Sequence, residues 1–569
     1  MRFMNDPSKP LMIQSDLSVL LETHHPEFEK LQGKLARFAD LVKSPEHLHT
    51  YRITPLSLWH AAAAGMKLEE MTSCLQQYAK FGVPPSVINL IRKYTNRYGL
   101  LRLLHVGDEL FLVSDDTVVF KEIRAHESIQ KYVMDTRGER AIAISPQYRG
   151  ILKQELTKLG YPVEDLASYQ EGEFLKIAWR EEDQVDEPFQ LRDYQKQAVD
   201  AFGQVGHGGS GVLVLPCGAG KTIVGIAAMA KASCATLILT SNVTSVKQWK
   251  REILSKTGLT SDQVGEYNGS TKEIKPITIA TYQILTHRGS KEGDFSHLRL
   301  FRERDWGLII YDEVHLLPAP VFRATAEIQA IRRLGLTATL IREDGLESDV
   351  FSLVGPKKYD MAWKQLETMG WIAKVTCQEV RVPLSAPDRD LYCASSARHQ
   401  FRLAGENVTK LAVIDHLLKL HPEEPTLIIG QYIDQLEQIA AHTGAPMICG
   451  TTPHDRREEL YEQFKNGQLP LLIVSKVANF AVDLPDAAIA IQVSGSYGSR
   501  QEEAQRLGRI LRPKRHGDNK AVFYSLVSSD TKEQDFALKR QLFLIEQGYH
   551  YEIQTWDPSA SGGGVHHEI

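Results

Sequence analysis

Two short segments of this 569-residue chain carry residue types and spacings that point to phosphate chemistry. The first is Leu215-Pro216-Cys217-Gly218-Ala219-Gly220-Lys221-Thr222, set between an apolar run and the helical stretch Ile223–Ala232. Glycines there let backbone N–H groups close around phosphate oxygens, and the start of the following helix adds its dipole. Pro216, Cys217, Gly218, Ala219 and Gly220 would form the cradle, Lys221 would reach the β- and γ-phosphates of a nucleotide, and Thr222 would ligate Mg²⁺. Leu215 stands where the strict G-x-x-x-x-G-K-[ST] pattern has its first glycine. The second segment, Leu308-Ile309-Ile310-Tyr311-Asp312-Glu313-Val314-His315, ends an apolar run with two adjacent carboxylates. At the carboxyl edge of a parallel sheet such a pair lies beside the phosphate loop. Asp312 would then hold Mg²⁺, and Glu313 would orient or deprotonate the attacking water. Taken singly, the segments also read as a Gly-rich turn and a solvated strand end; in one chain each strengthens the other.

These residues need strands to present them. From about residue 186 onward, short apolar runs alternate with helical segments. One set is Gly211–Leu215, Thr236–Thr240, Ile277–Thr281, Leu308–Tyr311 and Leu334–Thr337. The other is Thr426–Gly430, Met447–Gly450, Leu471–Ser475, Ala488–Val493 and Ala521–Leu526. Buried strands alternating with helices predict parallel sheets with βαβ crossovers, here two α/β domains in tandem over 186–365 and 366–569. Residues 1–100 read mainly as helix, from the spacing of Phe28, Leu31, Leu35, Phe38 and Leu41 and from the periodic stretch after Pro84–Pro85. Residues 101–185 read as a small α+β domain. In it, short strands at Leu110–Val113 and Thr117–Phe120 flank the turn-prone Ser114–Asp116, and Arg149–Lys158 is helical. The acidic Glu181, Glu182, Asp183, Asp186 and Glu187 mark a linker.

Composition excludes several classes. Lys+Arg 66 against Asp+Glu 71 gives a formal charge of −5, which rules out a wholly basic, histone-like protein but permits a local basic groove. No apolar run reaches the roughly 18 residues of a membrane span, and no apolar segment after Arg2 suggests a signal peptide. The six cysteines form no C-x-x-C pair, so a disulfide framework or zinc site is not expected and a reducing cytoplasm is. His566–His567, in a Gly/Ser-rich tail, reads as no metal site.

With Thr337-Ala338-Thr339 and Gln505-Arg506-Leu507-Gly508-Arg509-Ile510-Leu511-Arg512 added, the two phosphate segments resemble a superfamily 2 helicase core of two RecA-like domains. Arg342-Glu343-Asp344, Ser475-Lys476-Val477, Asp483-Leu484-Pro485 and Gly498-Ser499-Arg500-Gln501-Glu502-Glu503-Ala504 narrow the resemblance to the XPB DNA repair helicase family. Near the N-terminus Ser44-Pro45-Glu46-His47 and Thr54-Pro55-Leu56-Ser57-Leu58-Trp59 do the same, so the likeness spans nearly the whole chain. Without long charged tails, the chain is similar to the bacterial or archaeal form.

The resemblance implies that Arg509 and Arg512 are the fingers that meet charge on the γ-phosphate, whose three oxygens suit a guanidinium fork, with Gln505 a nucleotide-sensing contact. It implies adenine recognition by Arg192, Tyr194 and Gln195. It places Thr240, Trp249, Thr281, Ser475 and Lys476 along a DNA path, where short polar side chains suit sequence-independent phosphate contacts. Thr337, Thr339, Arg342, Glu343 and Asp344 would couple hydrolysis to duplex opening. Ala386–Gln400 resembles a short thumb-like insertion, near 386–425, bearing Arg389, Arg398 and His399. Residues 101–185 occupy the damage-recognition position by analogy alone.

The function implied is an ATP- and Mg²⁺-dependent 3'-5' DNA helicase or translocase of nucleotide-excision-type repair. It would act on duplex, fork or bubble DNA as a monomer or a heterodimer, with a partner nuclease, at the nucleoid of a prokaryotic cytoplasm. An RNA helicase or restriction-type translocase could share the core, as could an ATP-switched DNA-bound scaffold that recruits a nuclease. A signalling GTPase or small-molecule kinase is disfavoured, because neither needs a second RecA-like domain carrying arginines.

Overall fold

A computed structural model describes residues 6–44, 47–107, 109–180, 190–203, 209–216, 218–288, 295–329, 331–340, 345–475, 487–495, 519–547, 549, 551–557 and 564–567. The described strands form four sheets. The first is antiparallel, with β1 (Leu11–Ile13), β2 (Ser18–Glu22), β3 (Asp40–Lys43) and β4 (Leu48–Arg52) in the order β1-β2-β4-β3. Helices Pro55–Ala63, Leu68–Tyr78 and Pro85–Thr95 follow it. The expected helices of this region are therefore accompanied by a sheet that periodicity did not signal. The apolar stripe from Phe28 to Leu41 divides. Its helix ends at Leu35, and Leu41 turns inward from strand β3.

The second sheet contains β5 (Leu101–Val106), β6 (Glu109–Val113), β7 (Val133–Arg137), β8 (Ala141–Ile144) and β9 (Val163–Asp165), ordered β7-β8-β6-β5-β9. Helix Arg149–Lys158 forms as expected. The expected strand at Thr117–Phe120 is instead the first turn of helix Thr117–Ala125. Val118 and Val119 favour a strand locally, but the Asp116 carboxylate accepts both of their N–H groups, at 2.9 and 3.0 Å, and caps a helix.

The third sheet is wholly parallel and carries the phosphate segments: β10 (Ser210–Val214), β11 (Thr236–Thr240), β12 (Val264–Tyr267), β13 (Ile277–Thr281), β14 (Leu308–Asp312), β15 (Arg332–Thr337) and β16 (Lys357–Asp360). Its order is β12-β13-β11-β14-β15-β10-β16. The fourth has β17 (Lys374–Val382), β18 (Thr426–Gly430), β19 (Met447–Ile448), β20 (Leu471–Ser475), β21 (Ile489–Gln492), β22 (Lys520–Ser528), β23 (Tyr551–Asp557) and β24 (Gly564–His567). It runs β19-β20-β18-β21-β22-β17-β23-β24, parallel except for the last pair. Central strands buried on both faces explain the continuous apolar runs in the sequence. Two RecA-like parallel sheets in tandem are thus present, each with its own core, Val212, Leu237 and Ile309 in one and Ile428, Ile473 and Ile491 in the other. The chain divides into two compact units, Met1–Leu215 with Gly220–Asp360, and Met361–Ile569 with Pro216–Ala219.

Inside the first unit the α+β region is built onto the phosphate-binding sheet. Gly150 lies so close to the Ala326 backbone that a methyl group would overlap it, and Gln154 Nε2 donates to Asp349 Oδ1 at 2.9 Å. Arg149 and Lys153 share the carboxylate of Asp165 at 2.7 and 2.8 Å, all three nearly buried. An extended strap over 173–180 then runs along the amino ends of β11 and β14. Glu173 N–H donates to Asp305 O at 2.8 Å, Ala235 N–H donates to Glu173 O at 2.7 Å, and Gly258 N–H donates to Ala178 O at 3.0 Å. Phe174 and Trp179 make bridges to Cys234 and Thr257.

Candidate active site

Strand β10 delivers the chain into Pro216 and, after a turn with Gly218 at φ +82° and Gly220 at φ +76°, into helix Lys221–Ala232. Both angles lie in the left-handed region that glycine adopts without strain. Gly220 also has no room for a side chain, because a Cβ would sit 2.7 Å from Gln195 Nε2. The helix start carries no side-chain cap, so it is open to capping by an anion. Lys221 is its first residue, and Thr222 is half-buried beside it.

Strand β14 ends at Asp312, and Glu313 follows in the left-handed conformation at φ +54°, a cost a non-glycine residue pays only when its surroundings hold it. The turn aims the Glu313 carboxylate at the loop: its Oε1 is 3.4 Å from Lys221 Nζ, with both side chains largely buried. Burial works to raise the Glu313 pKa, but the Lys221 ammonium and, secondarily, His315 hold it below the ordinary glutamate value. Asp312 goes the other way. Burial and the neighbouring Glu313 charge push it up to about 6, against the hydrogen bond from Trp249. Two carboxylates this close keep one ionised form and leave the other short of positive charge. A divalent cation at Asp312 and Thr222 would supply that charge, so the donor set fits a magnesium nucleotide.

Three residues brace the acids. Trp249, 1% exposed, donates from Nε1 to Asp312 Oδ2 at 2.8 Å. Tyr282 OH donates to the Asp312 carbonyl at 3.0 Å. His315 Nδ1 lies 2.6 Å from Thr337 Oγ1 and 3.5 Å from Glu313 Oε2, tying the acid pair to the end of β15. Trp249, which the resemblance places along the DNA path, is bonded to the acid pair, a position from which it would orient Asp312. Replacing it with phenylalanine keeps the packing and deletes one hydrogen bond, and should raise the half-saturating Mg²⁺ concentration for hydrolysis roughly tenfold. An unchanged Mg²⁺ titration would remove Trp249 from this role.

Arg192, Tyr194 and Gln195 sit together at the start of helix Asp193–Phe202. Arg192 N–H donates to Gln195 Oε1 at 3.0 Å, and its guanidinium donates to Tyr194 OH at 3.1 Å. Tyr194 and Gln195 are buried, and the Gln195 amide reaches Gly220, so this group abuts the phosphate loop. The other expected DNA contacts divide. Thr240, Thr281 and Thr337 are buried at the ends of β11, β13 and β15, with hydroxyls spent internally: Thr240 donates to Asn242 O at 3.2 Å, Thr281 accepts Ile284 N–H at 3.3 Å, and Thr337 donates to Thr339 O at 2.5 Å. These hydroxyls thus take part in closing the turns at the sheet edge, as buried polar groups do. Thr339 is buried in the same turn, donating its N–H to Thr337 Oγ1 at 3.1 Å. Ser475 is buried at the end of β20, its Oγ with no hydrogen-bond partner among the described residues. Cys217, Arg342, Glu343, Asp344, Lys476, Gln505, Arg509 and Arg512 lie outside the described residues. Tyr282 follows Thr281 in a segment that resembles the family's DNA path, and His315 completes a D-E-x-H pattern with the acid pair; both side chains brace the acids.

A phosphate loop and an acid pair at the carboxyl edge of one of two tandem RecA-like sheets define the superfamily 2 helicase architecture. Family models described as "ERCC3/RAD25/XPB C-terminal helicase", "Type III restriction enzyme, res subunit" and "Helicase conserved C-terminal domain" match residues 366–562, 188–342 and 11–137 respectively. Proteins named "DNA 3'-5' helicase XPB" from Mycobacterium tuberculosis and Kineococcus radiotolerans are 50% and 51% identical, over 96% and 97% of this chain and 98% of each of theirs. The "General transcription and DNA repair factor IIH helicase/translocase subunit XPB/SSL2" of Saccharomyces cerevisiae is 32% identical over 96% of this chain and 72% of its own. The chain belongs to the XPB helicase family. Among the described residues no helix is long and apolar enough to cross a membrane, and no group of His, Cys, Asp or Glu is arranged to hold a metal by itself.

Proposed function

We propose that this protein hydrolyses ATP, with Mg²⁺, to move 3'-5' along one strand of DNA and open the duplex during repair of the nucleotide-excision type. The observation that carries the reading is the Lys221–Glu313 contact at 3.4 Å beside an Asp312 that Trp249 holds in place. The terminal phosphates of ATP compete for the same ammonium. As they take it, the Glu313 carboxylate is released to orient water and accept its proton. Thr222 and Asp312 would hold Mg²⁺, which would supply positive charge to offset the phosphates. Arg509 and Arg512 add charge at the γ-phosphate, Gln505 senses the nucleotide, and Arg192 and Gln195 read the adenine. Arg342, Glu343, Asp344 and Lys476 act on the DNA side of the cycle. Residues 101–185 hold the damage-recognition position, and a nuclease is the partner that would cut what the motor opens. The protein works in the cytoplasm, at the nucleoid.

The test is ATP hydrolysis measured without nucleic acid and with single-stranded DNA, forked duplex or RNA, beside strand displacement on 3'- and 5'-tailed forks. DNA-specific stimulation with displacement from the 3'-tailed fork is expected. Stimulation by RNA alone, or none by DNA, would overturn the reading.

A further inference from the structure

The carboxyl edge of the second parallel sheet holds a buried charge pair that the nucleotide chemistry does not use. Lys410 opens helix Lys410–Leu420 and is 1% exposed. Its Nζ donates to both oxygens of Glu533, at 3.0 and 3.2 Å, to the Val493 carbonyl at 2.8 Å, and to the Gly405 carbonyl at 3.3 Å. Glu533 in turn accepts the Ser528 N–H at 2.9 Å. Ser528 Oγ donates to Ala404 O at 2.7 Å and accepts from Asn407 Nδ2 at 3.1 Å; that amide also reaches the carbonyls of Val382 and Pro383, at 3.3 and 3.2 Å. The residue following β21 and the ends of helices Ala397–Gly405 and Lys532–Glu546 therefore meet at one ammonium group, and Glu533 and Asn407 extend the network to the last residues of β22 and β17.

Stability alone is a poor account of this arrangement. A cation in the first turn of a helix opposes the helix dipole. A buried ion pair is often replaced by apolar side chains of similar size at no net cost. What a charged, fully bonded hub supplies is fixed geometry, since each of its bonds is strong and directional. The things it fixes are telling. On one side are the insertion helices Ala386–Ala394 and Ala397–Gly405, held further by Lys532 N–H donating to Tyr392 OH at 2.9 Å and by the Phe401–Phe536 ring contact at 5.0 Å. Their outer surface carries the exposed Arg389, Asp390, Arg398 and His399, with Arg389 4.0 Å from Asp530. On the other side is Val493, after which the chain continues toward Gln505–Arg512.

We infer that Lys410 and Glu533, with Asn407, are positioning residues that lock the insertion helices to the carboxyl edge of the second sheet, so that the two move as one piece during the ATP cycle. This rests on the motor function proposed above. The experiment compares wild type, Lys410→Met, and the double variant Lys410→Met with Glu533→Leu. Four quantities are read: melting temperature, DNA-free ATPase, kcat and KM for DNA-stimulated ATPase, and base pairs opened per ATP. The single variant strands a buried carboxylate and should melt well below wild type. The double variant should melt within a few degrees of wild type and keep DNA-free hydrolysis and KM for ATP within about twofold, yet open at least fivefold fewer base pairs per ATP. A double variant with wild-type coupling overturns the inference, as does one in which DNA-free hydrolysis falls in proportion to unwinding. Asn407→Ala, which leaves the ion pair whole and cuts its spokes to β17 and Ser528, carries the same two outcomes if the double variant does not fold. A wild-type protein whose ATPase ignores DNA would overturn the motor reading itself, and this inference with it.

Discussion

Replacing Lys221 with alanine is expected to lower DNA-stimulated ATP turnover by roughly 10²–10³-fold, the range for removing one preorganised charge donor from a reacting oxyanion, and to abolish strand displacement with it. The argument has two parts. Lys221 stands at the first position of a helix whose start carries no side-chain cap, so it is the charged member of an otherwise neutral phosphate cradle. It is also the principal cation lowering the pKa of buried Glu313, so its loss lets burial raise that carboxyl before a nucleotide arrives. Lys221→Ala should therefore fail in nucleotide binding and in chemistry together. Phosphate release under saturating ATP, read beside equilibrium binding of a fluorescent ATP analogue, checks both. Retained DNA-stimulated hydrolysis would mean that the loop binds something other than the transferred phosphate.

Glu313→Gln should separate what Lys221→Ala removes together. The amide keeps the size of the side chain and its position at φ +54°, but it cannot accept a proton from water. It also gives up the ion pair with Lys221, leaving the ammonium for phosphate. Nucleotide binding is expected to equal or exceed wild type while kcat falls roughly 10²–10⁴-fold, the usual contribution of a positioned general base. A single-turnover phosphate-release trace beside a binding isotherm reads the two effects. A kcat within threefold of wild type would assign the water-activating role to another group.

Why the two acids and the lysine were legible, and their supports were not, follows from where each constraint acts. The phosphate loop is dictated locally. Positive φ at Gly218 and Gly220, a helix beginning at Lys221, and an apolar strand before them all sit within a dozen residues. Strands Thr236–Thr240, Ile277–Thr281, Thr426–Gly430 and Leu471–Ser475 were readable to the residue, because burial on both faces leaves an unbroken apolar run. Trp249 was not readable as a brace. Within an amphipathic helix it is one more core position, and its partner Asp312 is 63 residues away. The hydroxyls of Thr240 and Thr337 likewise reveal their internal partners only once the sheet edge is assembled. Strands of three to five residues such as β1 to β4 carry too short a pattern to outweigh the helical stripe beside them. Strand β17 was missed for a different reason. Its alternation of buried and exposed residues over Lys374–Val382 lies where a boundary between domains was expected.

The strap over 173–180 bears on how pieces of this protein can be inherited or exchanged. It satisfies backbone groups at the amino ends of β11 and β14, and Gly307 has no space for a side chain because Glu171 and Cys234 already fill it. The ATP-binding sheet is thus finished off by chain that precedes it. A gene fusion that cut near residue 186, where the acidic stretch suggests a seam, would take the motor and leave behind part of its floor. The natural joint lies farther along, at the step from Asp360 to Met361. Shuffling, circular permutation or a swap with a relative should respect that joint, and carry the first 360 residues as one cassette.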